Sequence, residues 1–467
     1  MIPFETDPAP GVTRVPAIAV IDIGKSNAKL ALVEAASRAP IATRTTANSV
    51  VAGDPYPRYD IDRLWTWIVD GLARVAKQAE IETISITTHG ACFALLSGDR
   101  LALPVIDYEY TALEDIHAEY ARVRGDFAEI LSPDLPNGLN AGRQVYWQSR
   151  KYPAEFAQVD AILPYPQYWV WRLTGEKVAE ATSLGCHTDL WNPRRGRYSR
   201  LAVAEGWDRL FPKLVKPWDT AGTLLPAIAE ATGIARTCRV VAGIHDSNAS
   251  LLPHLLARPQ PFAVLSTGTW MVVFAVGGEL DRLDPQRDCL ANVDAFGRAV
   301  PSSRFMAGRE YEIIAGTATA PSAADMVRVV STMTMALPAF APGTGPFGDS
   351  RGRWSTDPSH LSLGERAAAA SLYAALVTET CLSLAGAQGP IVVEGPLAGN
   401  QEFLGALGQR VPRPVIARPD ATGTTDGAAL LAVGPDAKPD LRDPPAIKPL
   451  HLDLSAYAEI WRERAMA

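Results

Sequence analysis

Cysteine is scarce in this chain of 467 residues. The five thiols, at Cys92, Cys186, Cys238, Cys289 and Cys381, form no C-x-x-C pair, so neither a disulfide framework nor a thiolate zinc site is expected. The seven histidines contain no H-E-x-x-H, which removes the helical zinc-hydrolase pattern. An excess of positive charge is missing too. Lys+Arg number 44 against 51 Asp+Glu, a net charge of −7, and no field remains to attract nucleic acid or an anionic membrane. Long apolar runs are absent: the longest clean one is Trp270 to Val276, against about 20 residues needed to cross a bilayer. No membrane span is expected. The N-terminal stretch places Glu5 and Asp7 where a signal peptide would be basic and then apolar. With thiols that read as unpaired, the expected compartment is the cytoplasm. The P-loop G-x-x-x-x-G-K-[ST], a G-x-G-x-x-G after the first strand and a G-x-S-x-G elbow are all missing, which excludes the commonest nucleotide-binding loops and the serine-hydrolase elbow.

What is present is a globular composition, 47% hydrophobic and 20% charged, with length for two or three domains. Ala17–Ile21 and Lys29–Glu34 read as strands flanking the turn Asp22-Ile23-Gly24-Lys25-Ser26-Asn27. Asp60 suits an N-cap for a helix whose apolar positions Ile61, Leu64, Trp65, Ile68, Leu72 and Val75 recur at spacings of three and four. Thr83–Thr87 reads as a further strand. Ala19 to Gly24 is echoed in type, at an offset of 244 residues, by Ala263-Val264-Leu265-Ser266-Thr267-Gly268. In each case an apolar strand meets a polar turn with glycine at the same place, and a second apolar strand follows. The echo points to two related α/β domains, 1–255 and 256–467. In the second, Leu363–Leu384 reads as a helix, Ile391–Val393 as a strand before Gly395, Gly399 and Asn400, and Tyr457, Ile460 and Trp461 as one face of a terminal helix. Asp284–Arg298 and Pro338–Gly352 read as loops.

Glycine at a tight turn lets backbone amides approach an anion. Gly24, Lys25, Ser26, Asn27 and Lys29 in one hairpin, and Ser266, Thr267, Gly268 and Thr269 in the other, are therefore candidate phosphate cradles, the alternative being ordinary hairpins with polar tips. Asp22 would repel phosphate unless a divalent cation lay between, which suggests Mg²⁺ held directly or through water; its plainer reading is a strand-end turn cap. In Gly243-Ile244-His245-Asp246-Ser247-Asn248-Ala249, Asp246 falls at a helix N-terminus, as an oriented carboxylate able to accept a hydroxyl proton or as a simple N-cap. Thr88, His89, Asp107, Glu109, Asn140, Arg143, Tyr165, Gln167, Thr182 and Ser183 could read sugar hydroxyls, though most loops carry such residues.

In order along nearly the whole chain, these elements resemble the FGGY carbohydrate kinases of the actin-like ATPase superfamily. Asp22, Gly24, Lys25, Ser26, Asn27 and Lys29 are similar to the family's first phosphate motif, Ser266 to Thr269 to its second, and Asp246 to its general base. Tyr165-Pro166-Gln167-Tyr168, Leu173-Thr174-Gly175 and Glu180-Ala181-Thr182-Ser183 are similar to the passage between them. The adenosine motif departs: two or three consecutive glycines are replaced by Val393-Glu394-Gly395-Pro396-Leu397-Ala398-Gly399-Asn400, where Pro396 removes an amide donor. Gly427-Ala428-Ala429 matches its ending. Lys25, where the family often has Thr or Ala, is a second departure. The resemblance implies two duplicated ribonuclease H-like domains around a cleft, the N-terminal one binding sugar and the C-terminal one nucleotide. It implies an ATP- and Mg²⁺-dependent sugar kinase with Asp246 as base. Asp22 would hold the metal, Gly395, Gly399 and Asn400 would bind nucleotide, and Thr88, His89, Glu109, Tyr165, Gln167, His245 and Asp246 would bind substrate. Thr87 to Leu96 is most similar to kinases of L-fuculose and L-rhamnulose, while His89-Gly90 pulls toward xylulose kinases; ribulose or a polyol is a further alternative. A catalytically weak sugar-binding regulator is the reading from another class. Expected partners are a sugar and ATP, with no nucleic acid and no membrane; a homodimer is compatible with the resemblance.

Overall fold

The computed structural model describes residues 14–317, 320–419 and 423–467; the stretch carrying Glu5 and Asp7 lies outside them. The described residues form two compact units. The first runs to Ala257 and also takes Asn292–Ala299 and the stretch from Gly423 to Asp440; the second takes the remainder from Arg258 onward. The chain therefore leaves the first unit close to residue 255 but returns to it twice. A single division of the sequence does not capture this.

In the first unit, β1 (Pro16–Ile23) pairs antiparallel with β2 (Asn27–Glu34), and β2 with β3 (Pro40–Ala47). The helix α1 (Ile61–Val75) follows, capped by Asp60, whose side chain accepts from Arg63 N at 3.2 Å. Its buried stripe of Leu64, Ile68, Leu72 and Val75 is the face that the three-and-four spacing predicts. On the other side of β1 lies β4 (Glu80–Thr88), parallel to it. After α2 (Tyr165–Thr174), β5 (Arg239–Val241) runs parallel to β4, and α3 (Asp246–Ala257) completes the first pass. β1 is buried from Ala17 to Ile23, which explains its near-continuous apolar run: a central strand in a sheet covered on both faces has no solvent side for polar alternation.

In the second unit, β6 (Phe262–Thr267) and β7 (Met271–Val276) form the second hairpin, and β7 pairs antiparallel with β8 (Ala299–Phe305). Following α4 (Leu363–Leu384), β9 (Ile391–Glu394) lies parallel to β6; after α5 (Gln401–Arg410), β10 (Val415–Arg418) lies parallel to β9. The strand orders β5-β4-β1-β2-β3 and β10-β9-β6-β7-β8 share the same pattern of parallel and antiparallel neighbours. The sequence echo falls on β1 and β6, the central strand of each. This is the duplicated α/β architecture that the repeat implied. The helix α4 is long and apolar enough to span a bilayer, yet most of it is buried in this unit's core.

One expectation fails locally. Within the segment read as a loop, Cys289–Val293 is a strand, fully buried, at the edge beyond β8. Five residues flanked by Asp288 and Asp294 are too short to reveal a period. The last helix of the first unit, α6 (Thr424–Leu430), packs on α3 and β1. Ala428 and Ala429 join Ile18, Val20, Ala31 and Val33 in one apolar cluster, and Ala428 O accepts from Ser85 Oγ at 2.6 Å. All five cysteines are buried and none forms a disulfide.

Candidate active site

Polar residues of the first unit gather where parallel strands end. In register, Asp22 lies beside Thr87 and Ile23 beside Thr88, while the short strand Ile244–His245 lies on the other side of β4, pairing Ile244 with Thr87 and His245 with Thr88. Three C-terminal strand ends thus present Asp22, His89 and Asp246 at one level, the place where α/β sheets bind ligands. Asp22 is also directly opposite Lys29 across the β1–β2 hairpin. Their side chains pair at 3.1 Å, and Thr424 Oγ1 donates to Asp22 Oδ2 at 2.6 Å.

Asp246 is the first residue of α3. Its Oδ1 accepts from Ser247 N at 2.6 Å and from Ser247 Oγ at 3.2 Å, and His245 Nε2 lies 3.2 Å from the same oxygen. Burial holds His245 down to about 4, so its imidazole is neutral at physiological pH. Asn248 Nδ2 lies 3.4 Å from His245 Nδ1. The tautomer that satisfies both contacts puts the proton on Nε2, where it is donated to Asp246. Oδ1 is thereby committed, and Oδ2 is the oxygen left to meet a substrate. Burial raises the Asp246 carboxyl above the usual carboxylate range; the His89 imidazole and the Ser247 donors oppose the rise and the charge of Asp22 adds to it. The side chain still keeps 27% of its surface open.

The support behind Asp246 is polar and buried. Glu180 accepts from Thr182 N at 2.9 and 3.0 Å and from the Thr182 hydroxyl. Thr182 Oγ1 in turn accepts from His245 N at 3.0 Å. Burial pushes the Glu180 carboxyl up to about 7, against the Thr182 hydrogen bonds. Gln167, fully buried, donates to Ala242 O at 2.8 Å, which ties α2 to the backbone just ahead of Ile244. Gly90 permits the close approach of His245: a Cβ there would lie 2.7 Å from His245 Nε2.

An aromatic wall flanks these groups. The ring of His89 is 5.1 Å from that of Tyr59, 5.2 Å from Tyr165 and 5.7 Å from Tyr108. His89 Nδ1 meets Gly90 O at 2.9 Å, and burial pulls this imidazole down, against the Gly90 hydrogen bond. His89 Nε2, Tyr165 OH and Gln167 Oε1 are buried without a hydrogen-bond partner. Buried polar atoms without partners are costly, and these three have capacity left for hydroxyls of a ligand.

The hairpins differ from expectation in detail. Gly24 N donates to Asn27 O and Gly268 N to Trp270 O, both at 2.9 Å, so these two amides close their own turns. The donors left to meet a phosphate are those further round each turn, at Lys25 and Ser26 and at Thr269. Ser26 and Asn27 are exposed, and Asn48 holds the turn by donating from N to Ser26 O and from Nδ2 to Gly24 O. Lys25 turns away from it, onto Asp107 and Glu109. In the second unit, Thr267 donates its hydroxyl to Glu394 O and accepts from Leu397 N, stapling the β6 end to the turn after β9. There Gly395 has φ +81°, and a Cβ on it would lie 2.0 Å from Thr267 O. Ser266 is partly exposed and Thr269 exposed. Asn400 caps α5, accepting from Phe403 N at 2.8 Å, and its amide reaches Tyr311 and Ser371. Gly399 is exposed with open space around its Cα. Gly308, at the start of the helix Ala307–Ala315, lies against the Gly268-Thr269 backbone: a Cβ would meet Gly268 O at 2.3 Å.

Of the sugar-reading candidates, Thr88, His89, Tyr165, Gln167 and His245 come together around Asp246, with Asp107 and Glu109 joined through Lys25. Asn140 and Arg143 do not take part. Asn140 binds Asp189, Ser132 and backbone carbonyls, and Arg143 is buried on Glu114 and Asp134. Thr424, Tyr59 and Tyr108 went unnoticed in the sequence. Thr424 carries no local signal, since its partner Asp22 is 402 residues away. Among the described residues no group of three or more His, Cys, Asp or Glu could hold a metal ion. A lone Asp22 fits only a cation whose remaining ligands are water and phosphate oxygens.

Residues 17–253 match the N-terminal domain of the FGGY family of carbohydrate kinases, and residues 259–440 match the carbohydrate kinase FGGY C-terminal domain. A crystal structure of a carbohydrate kinase from Novosphingobium aromaticivorans is similar with a TM-score of 0.90 at 37% identity, over 97% of this chain and 99% of that one. A ligand-bound xylulose kinase from Lactobacillus acidophilus shares the fold, with a TM-score of 0.78 at 14% identity over 96% of each chain. An L-fuculokinase from Salmonella typhi is 24% identical over 273 residues, 56% of this chain, and a probable L-xylulose kinase from Pasteurella multocida is 25% identical over 277 residues. The match spans about 57% of the length of the Salmonella relative and 56% of the Pasteurella one.

Proposed function

The chain belongs to the FGGY family of carbohydrate kinases, and we propose that it transfers the γ-phosphoryl group of ATP to a hydroxyl of a small ketose, of the L-fuculose or L-rhamnulose type. The observation that carries this reading is the asymmetric setting of Asp246, with Oδ1 held by Ser247 and His245 and Oδ2 left open. In this mechanism Asp246 Oδ2 accepts the proton of the attacking hydroxyl, an O–P bond forms at the γ-phosphorus, and the bond to the β–γ bridging oxygen breaks to release ADP. Neutral His245 orients the base, Glu180 and Thr182 hold His245, and the unpartnered His89 Nε2, Tyr165 OH and Gln167 Oε1 bind sugar hydroxyls. The nucleotide is assigned to the second unit, with Ser266 and Thr269 for its phosphates and the Gly395–Gly399 turn beside it. A bound Mg²⁺ would supply charge neutralisation to the transferring phosphoryl group, with Asp22 holding its water shell.

The second reading, a sugar-binding regulator with weak catalysis, is favoured by one feature. Pro396 has no amide proton, and Thr267 and Asn400 spend their side chains on structure. An ATP-dependent phosphorylation screen over ketoses, pentuloses and polyols separates the two: a phosphorylated product with turnover supports the kinase, whereas sugar binding with no product across the panel supports the regulator.

A further inference from the structure

Lys25 stands in a turn whose other members point to phosphate, yet its ammonium lies elsewhere. Nζ pairs with Asp107 Oδ1, lies 3.4 Å from Glu109 Oε2 and 3.3 Å from Tyr59 OH. It sits 4.3 Å from the ring centroid of Tyr108 and 5.1 Å from that of Tyr59. Those two tyrosines are among the three that flank His89. Lys25 is therefore built into the aromatic wall beside Asp246, with 23% of its side chain open, while Asp107 is nearly closed at 11% and Glu109 is open at 63%.

Resting on the kinase reading, we infer that Lys25, Asp107 and Glu109 form a charge-paired clamp for two neighbouring hydroxyls of an uncharged acceptor, so that Lys25 selects the sugar. The chemistry follows from the donor inventory. An ammonium has three donors and each carboxylate has about four acceptor sites; Lys25 hydrogen-bonds Asp107 Oδ1 and Tyr59 OH, so one donor is left for a ligand, and the two carboxylates keep acceptor capacity. A vicinal diol needs a donor for one oxygen and an acceptor for the other hydroxyl, and the clamp presents both. The partly exposed Tyr108 ring suits the apolar C–H face of a sugar, while the Tyr59 ring is buried.

The charge balance selects against acids. Asp22, Asp107, Glu109 and Asp246 oppose only Lys25 and Lys29 among the groups placed here, and His245 is neutral. A sugar carboxylate would meet a surplus of negative charge in a partly desolvated setting. Lys25 cannot relieve it, because its own charge is already matched by Asp107.

The experiment measures sugar binding by calorimetry without nucleotide, and steady-state kinetics with Mg-ATP, for the full chain and for Lys25→Met and Lys25→Arg, with L-fuculose, L-rhamnulose, D-xylulose and D-gluconate as probes. For the ketose bound best by the wild type, Lys25→Met weakens binding about tenfold, ~1.4 kcal/mol, while the KM for Mg-ATP changes less than about twofold, well under that increment. D-gluconate binds more weakly than any ketose that binds, and Glu109→Gln narrows the gap. If Lys25→Met raises the KM for Mg-ATP and leaves sugar binding unchanged, Lys25 is a phosphate ligand and the clamp is overturned. Tightest binding of D-gluconate would also overturn it. Calorimetry needs no turnover, so a chain that binds sugar in this way without phosphorylating it would sink the kinase reading and keep the clamp. Should Lys25→Met fail to fold, Lys25→Arg gives the same comparison: the planar guanidinium keeps the charge but replaces the compact ammonium's donor geometry at Asp107 and Glu109, so sugar binding weakens and the Mg-ATP KM holds.

Discussion

Replacing Asp246 by Asn tests the base directly, because the swap keeps shape and removes proton affinity. The amide oxygen can stay on the Oδ1 side, where Ser247 N, Ser247 Oγ and His245 Nε2 donate. The amide nitrogen then occupies the Oδ2 position and presents N–H to the attacking hydroxyl, which it cannot deprotonate. Positioned general-base catalysis contributes about 10²–10⁴ in rate, so kcat should fall by that factor, ~3–5 kcal/mol of barrier, while the sugar KM stays within a few-fold. Stability should move the other way. The folded-state carboxyl is raised by burial, and the sign follows: such a group contributes stability that is present below its unfolded pKa and lost as pH rises through the folded one. At neutral pH the wild type carries a desolvated charge that the variant lacks, so Asp246→Asn should resist denaturant better at pH 8 than the wild type, with the advantage gone in acid below the ordinary carboxylate range. The wild-type acid limb of kcat/KM should likewise lie above the pH of an unperturbed aspartate. Undiminished kcat at saturating sugar would reduce Asp246 to the first residue of a helix, and a kcat loss accompanied by lowered stability at pH 8 would mean that the substitution had damaged the fold instead.

Four further outcomes are expected. Asp22→Ala should raise the Mg²⁺ concentration needed for half-maximal activity; an unchanged Mg²⁺ dependence would leave Asp22 as the partner of Lys29 and Thr424 alone. Thr182→Val removes the acceptor of the His245 amide and the donor to Glu180, so thermal unfolding should show a loss of about 1–3 kcal/mol together with reduced kcat, whereas Glu180→Gln should gain stability over the wild type as pH rises through about 7, since a carboxyl raised by burial loses its stabilising contribution across that range. Gly90→Ala places a Cβ 2.7 Å from His245 Nε2; the imidazole must shift off Asp246, and kcat should drop with a stability cost of about 1–3 kcal/mol, measurable by kinetics and denaturation on the same sample.

Much of the fold was legible because its signals are local. The spacing of Leu64, Ile68 and Leu72 gives α1, and Asp60 gives its start. The alanine-rich run gives α4 with the limits at which it folds, Leu363–Leu384. The echo of β1 in β6 works because central strands buried on both faces admit few residue types, so two copies of one architecture keep similar runs. Cys289–Val293 was missed since a short edge strand leaves no measurable period, and the return of residues 423–440 to the first unit was missed since nothing within GTTDGAA states where it packs. Only the opposing surfaces decide that. Gly427 shows how tightly: a Cβ there would lie 1.7 Å from Ala249 O.

The site follows the same division between local and distant causes. Asp246 was readable from a polar turn before an apolar helix, and Asp22 from a carboxylate at a strand end, because strand and helix termini fix where such groups stand. What each does depends on contacts that cross the sequence: Thr424 on Asp22 from 402 residues away, Thr182 on the His245 amide from 63, Asp107 on Lys25 from 82. Lys25 shows how the two can conflict. Its neighbours in sequence, Gly24 and Ser26, argue for phosphate, and its neighbours in space, Asp107, Glu109, Tyr59 and Tyr108, argue for sugar. A flexible four-carbon stem lets the ammonium leave the turn that carries it, so backbone position is a weak guide to where the charge acts. For short side chains such as Asp22 and Asp246 the backbone position nearly is the charge position. Motif matching should therefore assign the aspartates of this site more securely than its lysines, and the paired measurement of sugar and nucleotide affinity on Lys25→Met is the place where that asymmetry is put at risk.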